Sequence, residues 1–395
     1  MYRWQQSPTD PAFVQDPYPA YARARRDGGP LVWWQDYDMP CALSHGAVNM
    51  ILRDRRFGRE IPAELASPPP AHLVAFHAVE DHSMLELEPP RHKRLRGLVL
   101  RAFTSGRIAG LAPDIAALAH RLIDAFPQGD AFDLLPAYAQ AIPVITIARL
   151  LGVPEDRAPD LLAWSNAMVG MYQARRTRAM EDAADSAAAA FTAFLSDHIA
   201  GRRNRPADDL ITHLIAAEQD GARLSIPEMI STCVLLLNAG HEATVHAIGN
   251  ATRLLLAQPD PRAHLAPDRI AATVEELLRL DPPLHMFARY AYEDVTLHGH
   301  AFRRGDRVGL LLGAANRDPS AWQDPDRFDP ARPVKPHMGF GAGLHFCLGA
   351  PLARLEMQIA LTTLFDRCPN LRLATAPRFA DSYHFHGLSA LMVSI

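Results

Sequence analysis

From Ser225 to about Gln258 the chain reads as one helix, and this segment constrains the fold more than any other. Its start carries a capping-box pattern, Ser225 followed three residues later by Glu228, with Pro227 tolerated in the first turn. Pro259 stops it. Roughly 33 residues at about 1.5 Å each make a rod of about 50 Å. Polar residues interrupt it too often for a membrane span. Apolar residues cover nearly every face, as in "STCVLLLN" and again at Val245, Ala247 and Ile248, so the rod belongs in the middle of a large protein. Inside it sits "AGHEAT", Ala239 to Thr244. A carboxylate buried there either neutralises or finds a partner. His246, four residues on, makes a structural ion pair one reading of Glu242.

A chain of 395 residues, 48% of them hydrophobic, can bury a core around such a rod. Helical spacing recurs in "APDIAALAHRLIDAF" (112–126), "VITIARLLGV" (144–153) and "DSAAAAFTAFLSDHIAGRR" (185–203). Strand-like pieces are short and late: "VTLHG" (295–299), "RVGLLLGAA" (307–315) and "LSALMVSI" (388–395). "GRRNRPADD" (201–209) reads as a loop, but strong patterns on either side argue against a domain boundary there. The expectation is a mainly α (α+β) chain, one helix-rich domain over residues 1–395 with small β-sheets. With 40 basic against 44 acidic side chains, nothing marks a polyanion-binding protein, so no nucleic-acid partner is expected. The cysteines Cys41, Cys233, Cys347 and Cys368 show no paired spacing, which argues against a disulfide framework or zinc and fits a reducing cytosol. The polar, proline-rich start "MYRWQQSPTDPAFVQDPYPAYARARRDGGP" has no apolar signal or anchor segment, so a cytoplasmic protein without a membrane segment is expected.

"GFGAGLHFCLGAPLAR" (339–354) stands apart. Three glycines and an alanine lead to Cys347, then to Gly349 and an amphipathic helix reaching about Phe365. Backbone N–H groups at a helix start favour thiolate over thiol. Glycines let a backbone approach something flat and large. One thiolate without companion ligands suits an axial haem ligand better than zinc or an iron–sulfur cluster. A buried structural cysteine, which suffices for Cys41, Cys233 and Cys368, leaves the glycines and the spacing unexplained.

The order Phe340, Gly341, Gly343, His345, Cys347, Gly349 resembles the haem-binding loop of the cytochrome P-450 superfamily, the haem-thiolate monooxygenases. Other segments resemble soluble bacterial members in the same order. "EELLR" offers Glu276 and Arg279 as the family's Glu-x-x-Arg pair, and "FARYAYEDVTLHG" places Arg289 at its haem-propionate arginine. "EPPRHKRLRGLVLRAFT" matches the helix that carries His92 and Arg96, "ANRDPSAW" and "PDRFDPAR" the approach to the cysteine, and "DPAFVQDPYPAY" the start of many members. The resemblance covers nearly the whole chain.

It implies the cytochrome P-450 fold, with haem b between the long central helix and the cysteine helix. Cys347 would be the metal ligand, with Phe340, Gly341 and Gly349 shaping its loop. His92, Arg96, Arg289 and His345 would clamp the haem propionates. Glu276 and Arg279 would form a buried network with Arg327 or Arg332 that braces the loop. Ala239 and Gly240 would leave room for dioxygen, where the family's helix often kinks, and Glu242 would relay protons.

The departure is Ala243, where most members carry a threonine or serine whose hydroxyl takes part in oxygen activation. Here the hydroxyl comes one residue later, at Thr244, turned about 100° away on a regular helix. The substrate could supply a hydroxyl, ordered water could act through Glu242 alone, or the protein could be an oxidase or coupling enzyme that inserts no oxygen.

By family position, residues 70–88, 164–176, 284–287 and 382–387 would line the substrate pocket, with His285 and His384 among them. They fit a mostly apolar small molecule bearing a polar group. The expected partners are a ferredoxin and its reductase, passing electrons from NAD(P)H to an enzyme acting by hydroxylation or epoxidation. An acidic ferredoxin would dock near Arg91, Lys93, Arg94 and Arg101. A monomer is expected. A haem protein that senses or carries a ligand without turnover is the competing class, disfavoured by the buried Glu242.

Overall fold

The computed structural model describes the whole chain except residues 128, 174, 218–220 and 222; residue 174, in the expected pocket segment 164–176, is therefore outside the described residues. The central helix runs from Ile226 to Leu256. Its capping box forms: the Glu228 N–H donates to Ser225 Oγ at 3.4 Å, and the Ser225 N–H donates to the Glu228 carboxylate at 2.9 Å. Leu237, Ile248 and Leu255 are fully buried along it. The helix continues without a break through Ala239 and Gly240, and Thr244 donates its hydroxyl to the Gly240 carbonyl at 2.8 Å.

Helices Ala112–Asp124, Ala141–Leu150, Ala158–Val169, Arg178–Asn204, Ile270–Leu280 and Ala350–Arg367 surround this rod, and their apolar faces share one core with it. Two expected boundaries move. The stretch 201–209 is helical through Asn204, because Arg202 is held from both sides, by Asp209 and by the Gly152 carbonyl at 2.8 Å. The strand expected over 307–315 ends at Leu311, and Leu312–Asn316 turns into a short buried helix whose last carbonyl is taken by Arg279.

The largest sheet has six strands, ordered Arg3–Trp4, Leu31–Trp34, Met39–Ala42, Arg307–Leu311, Met286–Ala291 and Phe57–Gly58. Arg289 pairs with Val308 in its antiparallel section. The expected strand at the C-terminus splits at Leu391 into Leu388–Ala390 and Met392–Ser394, which join two different small sheets. Helices therefore dominate, at 54% of the chain, and the six-stranded sheet carries Arg289.

Candidate active site

Cys347 lies between a 3-10 turn, Gly343–His345, and the helix Ala350–Arg367. Its N–H donates to the Phe340 carbonyl at 3.0 Å and closes the loop. Gly341 and Gly343 adopt φ of 68° and 71°, and a Cβ on Gly343 would collide with the Leu52 carbonyl. A Cβ on Gly341 would stand 3.3 Å from the Phe287 ring, so these two glycines also let the backbone at 52–53 and Phe287 pack closely on the loop. At the sulfur, opposing influences meet. Burial pushes the Cys347 thiol up, and the N–H groups of Gly349 and Ala350, with the Arg96 and Arg354 cations, oppose it without prevailing. A bound metal cation is what deprotonates such a thiol outright.

A second group gathers basic side chains, His92, Arg96, Arg289 and His345, two of which are histidines that burial lowers. His92 is buried, its ring 4.5 Å from that of His345, and its Nδ1 has no partner among the described residues. Burial, then the His345 and Arg96 charges, lower His92 to about 4. His345 Nε2 lies 2.9 Å from Glu88. Arg96 reaches the Phe346 carbonyl in the cysteine loop at 2.7 Å. Arg289 is buried and donates to its neighbour Ala288 at 2.8 Å. Burial first, and then repulsion from Arg59, bring Arg289 down to about 9.

Arg59 and Glu88 were not singled out from sequence. The Arg59 guanidinium, ion-paired with Glu86, lies 6.0 Å from the Phe287 ring, which Arg289 approaches to 5.9 Å. Glu88 could have been noticed, since it stands one helical turn before His92 in "EPPRH"; for Arg59 nothing in the sequence gives a signal.

On the central helix the accessible residues form one stripe. Ala239 is exposed, and Leu235, Leu236, Glu242, Ala243 and His246 are half-buried, between flanks that are mostly enclosed from 229 to 234 and from 247 to 252. Gly240 faces elsewhere. A Cβ on it would stand 2.6 Å from Ile147 Cδ1, so its smallness serves the approach of the helix Ala141–Leu150 rather than space beside Ala239. Glu242, 23% exposed, is flanked by two histidines: His246 Nε2 lies 3.2 Å from Oε1 and His241 Nε2 lies 3.5 Å from Oε2. Burial raises the carboxyl, but the His246 hydrogen bond and both histidine charges outweigh it and hold Glu242 below the ordinary range. Burial drives His241 to about 4, and its Nδ1 lies 3.2 Å from Ser165 Oγ.

Two ion-pair networks hold the helix Ile270–Leu280, one against the segment 316–332 and one against the helix that follows Cys347. Arg279 clamps Glu276 at 2.7 and 2.8 Å, and Arg332 adds 3.1 Å contacts to both carboxylate oxygens. Arg332 is thus the third partner, and Arg327 contributes only a carbonyl, 3.3 Å from Arg279. The adjacent Glu275, unremarked in sequence, pairs with Arg354, whose guanidinium lies 4.6 Å from the Phe340 ring.

The expected pocket segments meet. Tyr172 hydroxyl lies 3.3 Å from Glu80, its ring 6.1 Å from that of His384, and Leu284 bridges to Phe385. His285 does not belong with them. It is fully buried in the aromatic cluster of the N-terminal segment, with Nδ1 3.0 Å from the Tyr21 hydroxyl. Of the cations expected on the docking face, Arg94 is tied to Glu228 and Arg91 to the Asp81 carbonyl, while Lys93 and Arg101 are exposed.

The sequence model of the family described as cytochrome P450 matches residues 270–376, the stretch from the Glu276 helix through the cysteine loop. Over its whole length the chain is similar to cytochrome P450 107B1 of Saccharopolyspora erythraea, 37% identical with 97% of this chain and 96% of that protein aligned. The chain belongs to the cytochrome P450 family. It is also 37% identical to the vitamin D(3) 25-hydroxylase of Pseudonocardia autotrophica, across 97% of this chain and 94% of that one. Among solved structures, P450BioI in complex with hexadec-9Z-enoic acid ligated to acyl carrier protein superposes with a TM-score of 0.91 at 34% identity, covering 97% of this chain and 100% of that one. As a cytochrome P450 the protein is a monooxygenase that uses haem b. The donor set fits that group: a half-buried thiol with N–H donors behind it, the buried Arg289 bonded to a backbone carbonyl, and His92 Nδ1 without a partner among the described residues. Among the described residues no helix is long and apolar enough to cross a membrane.

Proposed function

We propose that residues 1–395 form a single P450 domain that inserts one oxygen atom from O2 into a mostly apolar small molecule bearing a polar group. The observation that carries this most is Glu242, a half-buried carboxylate held below its ordinary range on an accessible stripe in the middle of the central helix. Cys347 is assigned as the metal ligand, and His92, Arg96, Arg289 and His345, joined by Arg59, as the propionate partners. When bound, haem supplies the activation of dioxygen. The chain's residues hold that group, exclude bulk water and handle protons. Glu242 holds a proton in transit at its carboxylate oxygens. Ala243 offers no hydroxyl and that of Thr244 is engaged with Gly240, so a hydroxyl on the substrate, or water ordered by it, stands beside Glu242.

The lining segments 70–88, 164–176, 284–287 and 382–387 supply Phe76, Met171, Phe287 and Phe385 beside polar Glu80, Tyr172 and His384. Relatives named for vitamin D(3) hydroxylation and for a fatty-acyl ligand support a long apolar substrate with one polar end. Electrons come from NAD(P)H through a ferredoxin and its reductase in the cytoplasm, the ferredoxin docking on Lys93 and Arg101 against a monomeric enzyme.

Two measurements test this. Reduced protein with carbon monoxide should show the strongly red-shifted band of thiolate ligation and lose it in Cys347→Ala; retention of that band would remove Cys347 from the site. A spectral screen of small molecules should find spin-state shifts among apolar, hydroxyl-bearing compounds. Shifts confined to small polar or charged compounds would overturn the substrate class.

A further inference from the structure

The His246 imidazole touches two things at once. Its Nε2 lies 3.2 Å from Glu242 Oε1, and its ring lies so close to Gly387 that a Cβ there would overlap Nδ1. The Phe385 ring is 5.7 Å away. One turn further along the helix, Asn250 donates to the His386 carbonyl at 2.8 Å. The loop 382–387 is therefore seated on the central helix through His246 and Asn250, and its missing side chain at 387 makes space for the imidazole. His246 Nδ1 is buried with no partner among the described residues, so the ring is placed by packing from the loop rather than by a hydrogen bond behind it. The other oxygen of Glu242 faces His241, whose own ring is fixed by Ser165. One histidine holds the carboxylate from within the helix bundle, and the other holds it from the substrate side.

The geometry points to His246 as a positioning residue for Glu242, set in place by the 382–387 loop, so that substrate contacts on that loop reach the proton-handling carboxylate through the imidazole. This rests on the reading of Glu242 as the proton carrier and of 382–387 as pocket lining. The other ionisable groups near the pair are His241 on the same helix and His386 on the loop, the latter backed by Asp281, Arg253 and Arg317. His386 is held down to about 4, by burial above all, and His241 likewise. Without the His246 bond, burial is the dominant influence on Glu242 and drives it up.

Haem-bound carbon monoxide is a probe that needs no substrate, because its infrared stretch reports the polar field beside it. The stretch, followed against pH in the reduced holoenzyme, should show an inflection that Glu242→Gln removes. In His246→Leu that inflection should move to higher pH, and in Gly387→Ala it should move the same way although the histidine remains. His246→Gln, which keeps an N–H donor at the same reach, should stay near the parent. Should His246→Leu fail to hold haem, Gly387→Ala and His246→Gln still decide the matter. Inflections of Gly387→Ala and His246→Leu that coincide with the parent's would overturn the proposal while leaving Glu242 as the carrier. Undiminished product formation by Glu242→Gln would instead overturn the underlying reading of the carrier, whatever the histidine variants do.

Discussion

Glu276 and Glu242 are both carboxylates on enclosed helices, each with a basic residue three or four positions on, yet they are built for different ends. Glu276 is 3% exposed and saturated: Arg279 binds it bidentately, Arg332 touches both oxygens, and the Asp329 N–H donates at 2.9 Å. Its partners are arginines, which stay charged at any working pH. Glu242 is 23% exposed and, among the described residues, its ionic partners are two imidazoles rather than guanidinium groups. A carboxylate locked by arginines fixes the chain near the cysteine loop. One held by imidazoles beside an open stripe can gain and lose a proton. Spacing along the helix does not separate the two roles, but the identity of the partners and access to the stripe do.

The comparison can be broken first at its rigid end. Arg279→Leu leaves Glu276 buried and short of its main partner, and chemical denaturation should show a loss of about 3–5 kcal/mol. At the responsive end, Glu242→Gln should lower product formation by about 10²-fold while the denaturation midpoint stays close to the parent's. A smaller effect sharpens the role of Ala243. Substrate analogues lacking the polar hydroxyl should bind but divert NAD(P)H to peroxide, and Ala243→Thr should restore several-fold of the product from them while slowing the native substrate. Equal coupling with and without that hydroxyl would end the substrate-assisted account.

Acid titration gives a gentler contrast. Glu275, beside Glu276, is lowered to about 2 by hydrogen bonds from Arg354 and His337 that overcome burial. Its folded value is depressed, so its contribution is complete above the ordinary glutamate value near 4.3 and disappears as pH falls toward 2. Glu275→Gln should therefore flatten the stability profile in that window and leave it unchanged at pH 7 relative to its own plateau. Least of all, Arg101→Glu should reduce the rate of electron transfer from an acidic ferredoxin by a few-fold at low salt, with the difference fading as salt rises. Salt-independent reduction, unaltered by that reversal, would exclude the docking face.

Local chemistry explains what could be read ahead of the structure. The capping box at Ser225 and Glu228, the spacing of Glu276 and Arg279, and the cysteine loop are short-range patterns whose partners lie within one or two helical turns. What escaped depends on contacts between distant segments. Gly240 looked like space for a ligand until the helix carrying Ile147 closed on it. Similarly, His285 shares a segment with pocket residues but points into the Tyr18 and Tyr21 cluster. Arg59, far from any motif, arrives beside Arg289 only through the pairing of Phe57–Gly58 with Tyr290–Ala291. At Cys347 the helix-start donors visible in sequence do act on the sulfur, while the burial that opposes them comes from packing between distant segments.

The most direct test sets Glu242→Gln beside Glu276→Gln in the holoenzyme, reading for each the denaturation midpoint and the product formed per NAD(P)H consumed. The account predicts that Glu276→Gln lowers the midpoint, because a buried arginine loses its charge partner, and that Glu242→Gln keeps the midpoint and the carbon monoxide band while product collapses. A Glu242→Gln protein that is as destabilised as Glu276→Gln, yet turns over normally while folded, would contradict it and make both carboxylates structural.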